Sequence, residues 1–155
     1  MGNKLFKKID NKPKLKIIVY GEAHFHFDEV EDIRDSIIKN KPDYILLENI
    51  EDKQLYLDII PNIVVKRLEP VFNNKELSLL EQFKVRENNM IGRINKLISS
   101  IKVDSTICIQ TGDTHLRSIK TKELGENILR KYLDILSKDR YITVNINRSK
   151  YKEIK

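Results

Sequence analysis

Two short runs dominated by β-branched apolar residues, 15–20 and 106–109, constrain this chain most, because both lead into the same pattern. Four apolar side chains follow one another at 17–20 with no 3.6-residue period. That suits a strand covered on both faces, and so a parallel sheet packed between helices. The runs continue into Gly21-Glu22-Ala23-His24 and Gly112-Asp113-Thr114-His115, which hold two of the three histidines. Strand, Gly, acid, His and then a helix start is how α/β proteins build sites at the carboxyl ends of strands. A core histidine would instead sit inside a periodic apolar pattern.

The remaining pattern extends the same architecture. Asp28 and Glu31 have capping-box spacing, Val30, Ile33 and Ile37 form one apolar stripe, and Lys41-Pro42 ends it, so a helix is expected there. Residues 44–47 are short, apolar and followed by Glu48, which predicts a βαβ unit with a parallel strand pair. Between 51 and 72 the pattern is poorly legible, with a helix over 55–60 and a short strand over 63–65 as the readings. A long helix runs to Ile101, opened either by Asn73 with Glu76 or by Ser78 with Glu81, with the stripe Leu80, Phe83, Met90, Ile94, Leu97 and Ile101. Leu124, Ile128, Tyr132 and Ile135 mark another helix, and 141–146 alternates apolar with polar as a strand near a sheet edge does. The expectation is one α/β domain over 1–155: a mostly parallel central sheet, helices on both faces, and a site at the strand carboxyl ends.

Composition narrows the function classes. A chain of 155 residues with 40% hydrophobic side chains builds its own core, and the single Cys108, inside an apolar run, excludes a disulfide framework. A reducing compartment, the cytoplasm, is the expected location. No apolar stretch approaches the roughly 18–20 residues that cross a bilayer, so no membrane span is expected. The formal charge of +6 is unevenly placed: residues 1–16 and 130–155 carry +5 each, which leaves the motif-bearing middle at −4. That distribution argues against specific nucleic-acid binding and for solvated basic ends at 1–14 and 148–155.

The two His motifs gain chemical meaning if their strands are sheet neighbours. His24 and His115 then converge, and Glu48 supplies an oxygen; two His and one carboxylate are a common ligand set for zinc and its first-row neighbours, with a position left for water. Glu22 and Asp113, each two residues before a His, could be ligands, acceptors for a ring proton or general bases, and Asp113 also suits a helix cap. His26 either faces the same crevice as a further ligand or lies where the following helix begins. Arg86 and Glu87 break an apolar helical face: Glu87 falls within the stripe of Phe83, Met90 and Ile94, and Arg86 borders it. Each must meet an opposite charge or a site, as an isolated buried charge costs several kcal/mol. Arg86 either lines the pocket and stabilises an oxyanion or forms a helix-to-sheet salt bridge, with Glu48 as a partner. The scattered glycines form no phosphate loop, no Gly-x-Ser-x-Gly elbow occurs, and Cys108 lies within a strand.

Four blocks in order then carry a resemblance: Gly21-Glu22-Ala23-His24, Lys41-Pro42-Asp43-Tyr44-Ile45-Leu46-Leu47-Glu48, Arg86-Glu87-Asn88-Asn89-Met90 and Gly112-Asp113-Thr114-His115-Leu116. Over about residues 15–120 the chain resembles the TraB, PrgY and TIKI superfamily, with erythromycin esterases and haem-binding ChaN-like proteins as distant relatives. The resemblance implies an α/β fold whose strand-end site is built from His24, Glu48, Arg86 and His115. It also implies metal-dependent peptide hydrolysis with manganese or cobalt; with zinc as the further divalent metal that the ligand set admits, the expectation is a hydrolase of a peptide or ester bond with Glu22 as base. Haem or peptide binding without catalysis is the alternative that the ChaN-like relatives suggest. The chain departs from the pattern in having Asp113 where relatives commonly carry a small residue, and in lacking the membrane-spanning tail of many TraB proteins.

Overall fold

Burial on both sides of the apolar runs organises the molecule into a sheet between two helical layers. The computed structural model describes residues 12–23, 27–69, 76–117 and 127–151. In chain order these form β1 (Leu15–Glu22), α1 (Phe27–Asn40), β2 (Tyr44–Leu47), α2 (Lys53–Ile59), β3 (Val64–Arg67), α3 (Leu79–Ser100), β4 (Ser105–Gly112), α4 (Ile128–Leu136) and β5 (Ile142–Asn147). The strands make one sheet in the order β3-β2-β4-β1-β5, and every pairing is parallel.

Side chains alternate between the faces with the two-residue period of a strand. Ile17 and Val19 of β1, Leu46 of β2, and Ile107 and Ile109 of β4 meet Met90, Ile94 and Leu97 of α3 and Leu129 and Leu133 of α4. Ile18 and Tyr20, Ile45 and Leu47, and Cys108 point the other way, onto Ile33 and Ile37 of α1 and Tyr56 of α2. Burial pushes the Cys108 thiol up to about 12, so it behaves as a small apolar residue.

The helices end where local chemistry stops them. Lys41 takes a left-handed conformation (φ 47°) after α1 and precedes Pro42, which cannot continue a helix. Of the two possible openings of the long helix, Ser78 with Glu81 is the one used: the hydroxyl accepts from Glu81 N at 3.2 Å and donates to Glu81 Oε1 at 2.9 Å. At α1 the capping-box expectation fails, because the helix already starts at Phe27 and Asp28 lies inside its first turn. The buried acid there is Glu29, whose Oε1 accepts from Ala23 N at 2.6 Å.

One topological expectation is corrected. β1 and β2 are parallel but not neighbours, because β4 is inserted between them with eight registered pairs to β1 and four to β2. β4 is the element best suited to a central place, since seven of its eight residues are buried. β5 occupies the edge beside β1 and alternates between partly covered and exposed residues, as its sequence pattern predicts. Among the described residues, no helix is long and apolar enough to cross a membrane.

Candidate active site at the strand ends

β1 and β4 run side by side to their carboxyl ends, with Gly21 opposite Thr111 and Glu22 opposite Gly112. On the other side of β4, Glu48 follows β2 and is fixed by its own N–H, which donates to Gln110 O at 3.0 Å. The sheet order therefore brings the second His motif between the first motif and Glu48.

His115 sits in the 3₁₀ turn Asp113–Leu116 that follows β4 and is 4% exposed. Its ring lies flat against Phe83 of α3, with centroids 4.5 Å apart and 14° between planes. Nδ1 is 2.9 Å from Glu87 Oε2, and Nε2 is 3.2 Å from Glu48 Oε1. Burial opposes protonation of this ring, but hydrogen bonds to both carboxylates, and their charges, push its pKa up to about 9.

Glu87 is fully buried on the face of α3 that its sequence neighbours make apolar. Its second oxygen, Oε1, accepts from Leu129 N at 2.8 Å in the first turn of α4. That helix has no acid in its own first turn and no side-chain cap from Asn127. Glu87 thus satisfies an otherwise unpaired amide and complements the positive end of the helix dipole.

Glu48 is held from several sides. Oε1 accepts from Arg86 Nη2 at 3.2 Å and Thr111 Oγ1 at 3.4 Å, and Oε2 accepts from Gly112 N at 3.0 Å. Burial would raise its pKa, yet His115, Arg86 and the Gly112 amide hold it below the usual carboxylate range. Arg86 reaches further, to Glu69, with Nε at 3.0 Å and Nη2 at 2.7 Å from Oε1. Of the two readings of Arg86 from sequence, the salt bridge to Glu48 is present, and the side chain remains 34% exposed. Its Nη1 has no hydrogen bond among the described residues.

The other candidates fall in different places. Glu22 has the strand parity of Ile18 and Tyr20, toward the α1/α2 face, and its Oε2 accepts from Gln110 Nε2 at 2.8 Å. Asp113 accepts both Nε and Nη2 of Arg148 at 2.8 Å, together with Ser149 N at 2.8 Å. It is therefore the anchor of the segment after β5, which continues through Ser149 Oγ to Glu29 Oε2 at 2.6 Å. His24 and His26 lie outside the described residues.

The glycines of the two motifs do not act by permitting a positive-φ turn. Gly112 has φ −61° and ψ 138°, open to any residue. Gly21 leaves room: a Cβ there would stand 2.5 Å from Asp113 Oδ1 and 2.9 Å from Leu116 Cδ1. The first motif is flat where the second packs on it.

Sequence reasoning passed over Glu69, Phe83 as a ring partner, and Thr111. A signal for Glu69 exists: it follows Leu68 at the end of β3 as Glu48 follows Leu47 at the end of β2, and Leu68 N donates to Leu47 O at 2.8 Å. Glu69 is 7% exposed, and its Oε2 has no hydrogen-bond partner among the described residues.

The donors fit a first-row divalent cation in part. Two ligands of one ion with bonds of about 2.1 Å stand roughly 3.0–3.4 Å apart, and His115 Nε2 and Glu48 Oε1 are separated by 3.2 Å. Glu87 behind Nδ1 is the kind of carboxylate that orients a metal-bound imidazole. Among the described residues, no group of three or more His, Cys, Asp and Glu side chains has a metal-holding arrangement. No protein-family model, curated protein or solved structure matches the chain.

Proposed function

We propose that the chain is a metal-dependent hydrolase of a peptide or ester bond, with His115, Glu48 and His24 as the ligands of a divalent cation. The observation that carries this reading is the clamped imidazole, with Glu87 2.9 Å behind Nδ1 and Glu48 3.2 Å before Nε2. A bound divalent ion would supply a nucleophilic hydroxide near neutral pH by acidifying its water. With the ion bound, Nδ1–H would donate to Glu87 and Nε2, which faces Glu48 Oε1, would give up its proton to become the ligand. Arg86, anchored by Glu69 and Glu48, keeps Nη1 free to donate to the oxygen that gains charge in the transition state. Glu22 is the candidate base from the sequence, and to accept the water proton it would have to turn from Gln110, on the α1/α2 side, over the carboxyl edge of the sheet.

Metal analysis of untagged protein tests this assignment. Wild type should retain Mn, Co or Zn and hydrolyse a peptide or ester panel, whereas His24→Ala and Glu48→Gln should lose both metal and turnover. Unchanged metal content in both variants would overturn the ligand set.

One observation favours a second reading, a noncatalytic module for haem or another acidic ligand. Both Glu48 oxygens already have partners, and Arg86 shares the oxygen that faces His115. In that case a ligand carboxylate exchanges with Glu48 or Glu69 on Arg86. A Soret band on haem titration without metal-dependent turnover would select it.

A further inference from the structure

On the α3 face of the sheet lies a cleft of about 320 Å³, floored by Leu46 and Leu97. Its walls carry Lys66 and Arg67 from β3 and Arg93 and Lys96 from α3. The placement follows from the elements: Val65 packs toward α1 and α2, so Lys66 points to the α3 side, and Arg93 and Lys96 are one turn apart. All four cations are exposed, and none has an ion pair or side-chain hydrogen bond among the described residues.

Among the described residues, no carboxylate lines this cleft. The basic pocket at the opposite ends of the strands is different, since Lys14, Lys16 and Arg140 there are accompanied by Asp43 and Asp104. Uncompensated like charges in one concavity repel one another and raise the local concentration of anions. Arg93 lies seven residues beyond Arg86 in α3, about 10 Å along the helix axis at 1.5 Å per residue, so the cleft is separate from the strand-end cluster.

We propose that this cleft binds a diphosphate group, either free pyrophosphate or the diphosphate of a nucleotide. A terminal phosphoryl group carries about −1.5 to −2 at neutral pH and a diphosphate more, which answers the charges of Lys66, Arg93 and Lys96 together. The guanidinium fork of Arg93 suits phosphoryl oxygens, and Lys66 and Lys96 add point charges at the same mouth. The floor is leucine, and among the described residues no aromatic side chain lines the cleft to stack a base. That disfavours single-stranded nucleic acid, whose nonspecific sites combine cations with aromatic platforms.

Isothermal titration of the full chain with pyrophosphate and with ADP, at low and high salt, tests the proposal. Saturable binding that weakens with salt is expected, and the tighter of the two ligands identifies the source of the diphosphate. Arg93→Gln/Lys96→Gln should weaken it by about tenfold or more, the scale of one lost charge-assisted hydrogen bond. Lys66→Gln/Arg67→Gln should do the same from the other wall, while the exposed pair Lys39→Gln/Lys138→Gln should not. The unliganded cleft variants should melt no lower than wild type, because they relieve repulsion. Unchanged pyrophosphate affinity in both cleft variants, or tighter binding of an oligoglutamate or a single-stranded DNA than of either diphosphate, would overturn it.

Discussion

At the scale of single residues, the charges inside an apolar stripe were the most legible part of the site. Glu87 had to have a partner because of where it sits in the helix, and it has two, His115 and the Leu129 amide. Which partners they would be depended on sheet order, which no local pattern encodes. The pair makes stability depend on pH in ion-free protein. His115 is raised from 6.5 to about 9 on folding, so its contribution is fully present below about pH 6.5 and is lost as pH rises through about 9. That interval corresponds to about 3 kcal/mol. Glu48 works at the acid end, because its depressed pKa gives stability above its ordinary 4.5 that is lost as pH falls below it. Urea unfolding of chelator-treated protein should therefore be most resistant between those limits, and His115→Gln should remove the alkaline fall. An alkaline fall of equal size in that variant would show that other groups cause it. Gly21 gives a second test at this scale. Gly21→Ala should cost about 1–3 kcal/mol through overpacking, because Asp113 is pinned by Arg148 and Ser149 and has nowhere to move. A urea midpoint equal to that of wild type would refute the steric account.

At the scale of elements, legibility followed burial. β1 and β4 were readable because both faces of each are covered, which leaves a continuous apolar run. Residues 51–72 were not, because α2 buries only Tyr56 and the edge strand β3 buries only Val65, too few positions to set a period. α3 was readable in extent, but its opening was ambiguous between two capping pairs, and the structure resolves it: the Ser78 hydroxyl accepts from the Glu81 amide and donates to the Glu81 carboxylate. Ser78→Ala should accordingly cost about 1 kcal/mol, a local loss seen as a lower thermal midpoint. Glu87→Ala should cost more, about 3–5 kcal/mol, since it strips a partner from buried His115 and leaves the first turn of α4 uncapped. The two costs distinguish a helix held by its own end from one held by its neighbour. If Glu87→Ala cost no more than Ser78→Ala, α4 would not depend on α3 for its start.

At the scale of the whole molecule, running sums along the chain conceal how charge and topology are arranged in space. The middle of the sequence is acidic, yet its cations Lys66, Arg67, Arg93 and Lys96 gather in one cleft while Glu48, Glu69 and Glu87 gather at the strand ends. Chain order misleads in the same way about strands. The unit β1–α1–β2 reads as self-sufficient, but its two strands touch only through β4, which comes more than fifty residues later. The backbone groups of β1 and β2 that face each other across that gap are satisfied only when β4 enters, and the α3 face of the core has no second layer without Met90, Ile94 and Leu97. A fragment of residues 1–69 therefore has an open slot where its central strand belongs, with unpaired amides and uncovered apolar surface on one side. It should show no cooperative unfolding transition and no protected amides in hydrogen exchange. Mixing it with residues 76–155 should restore both, because that piece brings β4, α3, α4 and β5. A sigmoidal urea transition for the isolated fragment would mean that β1 and β2 can pair directly, and that the strand order is imposed late rather than required for folding.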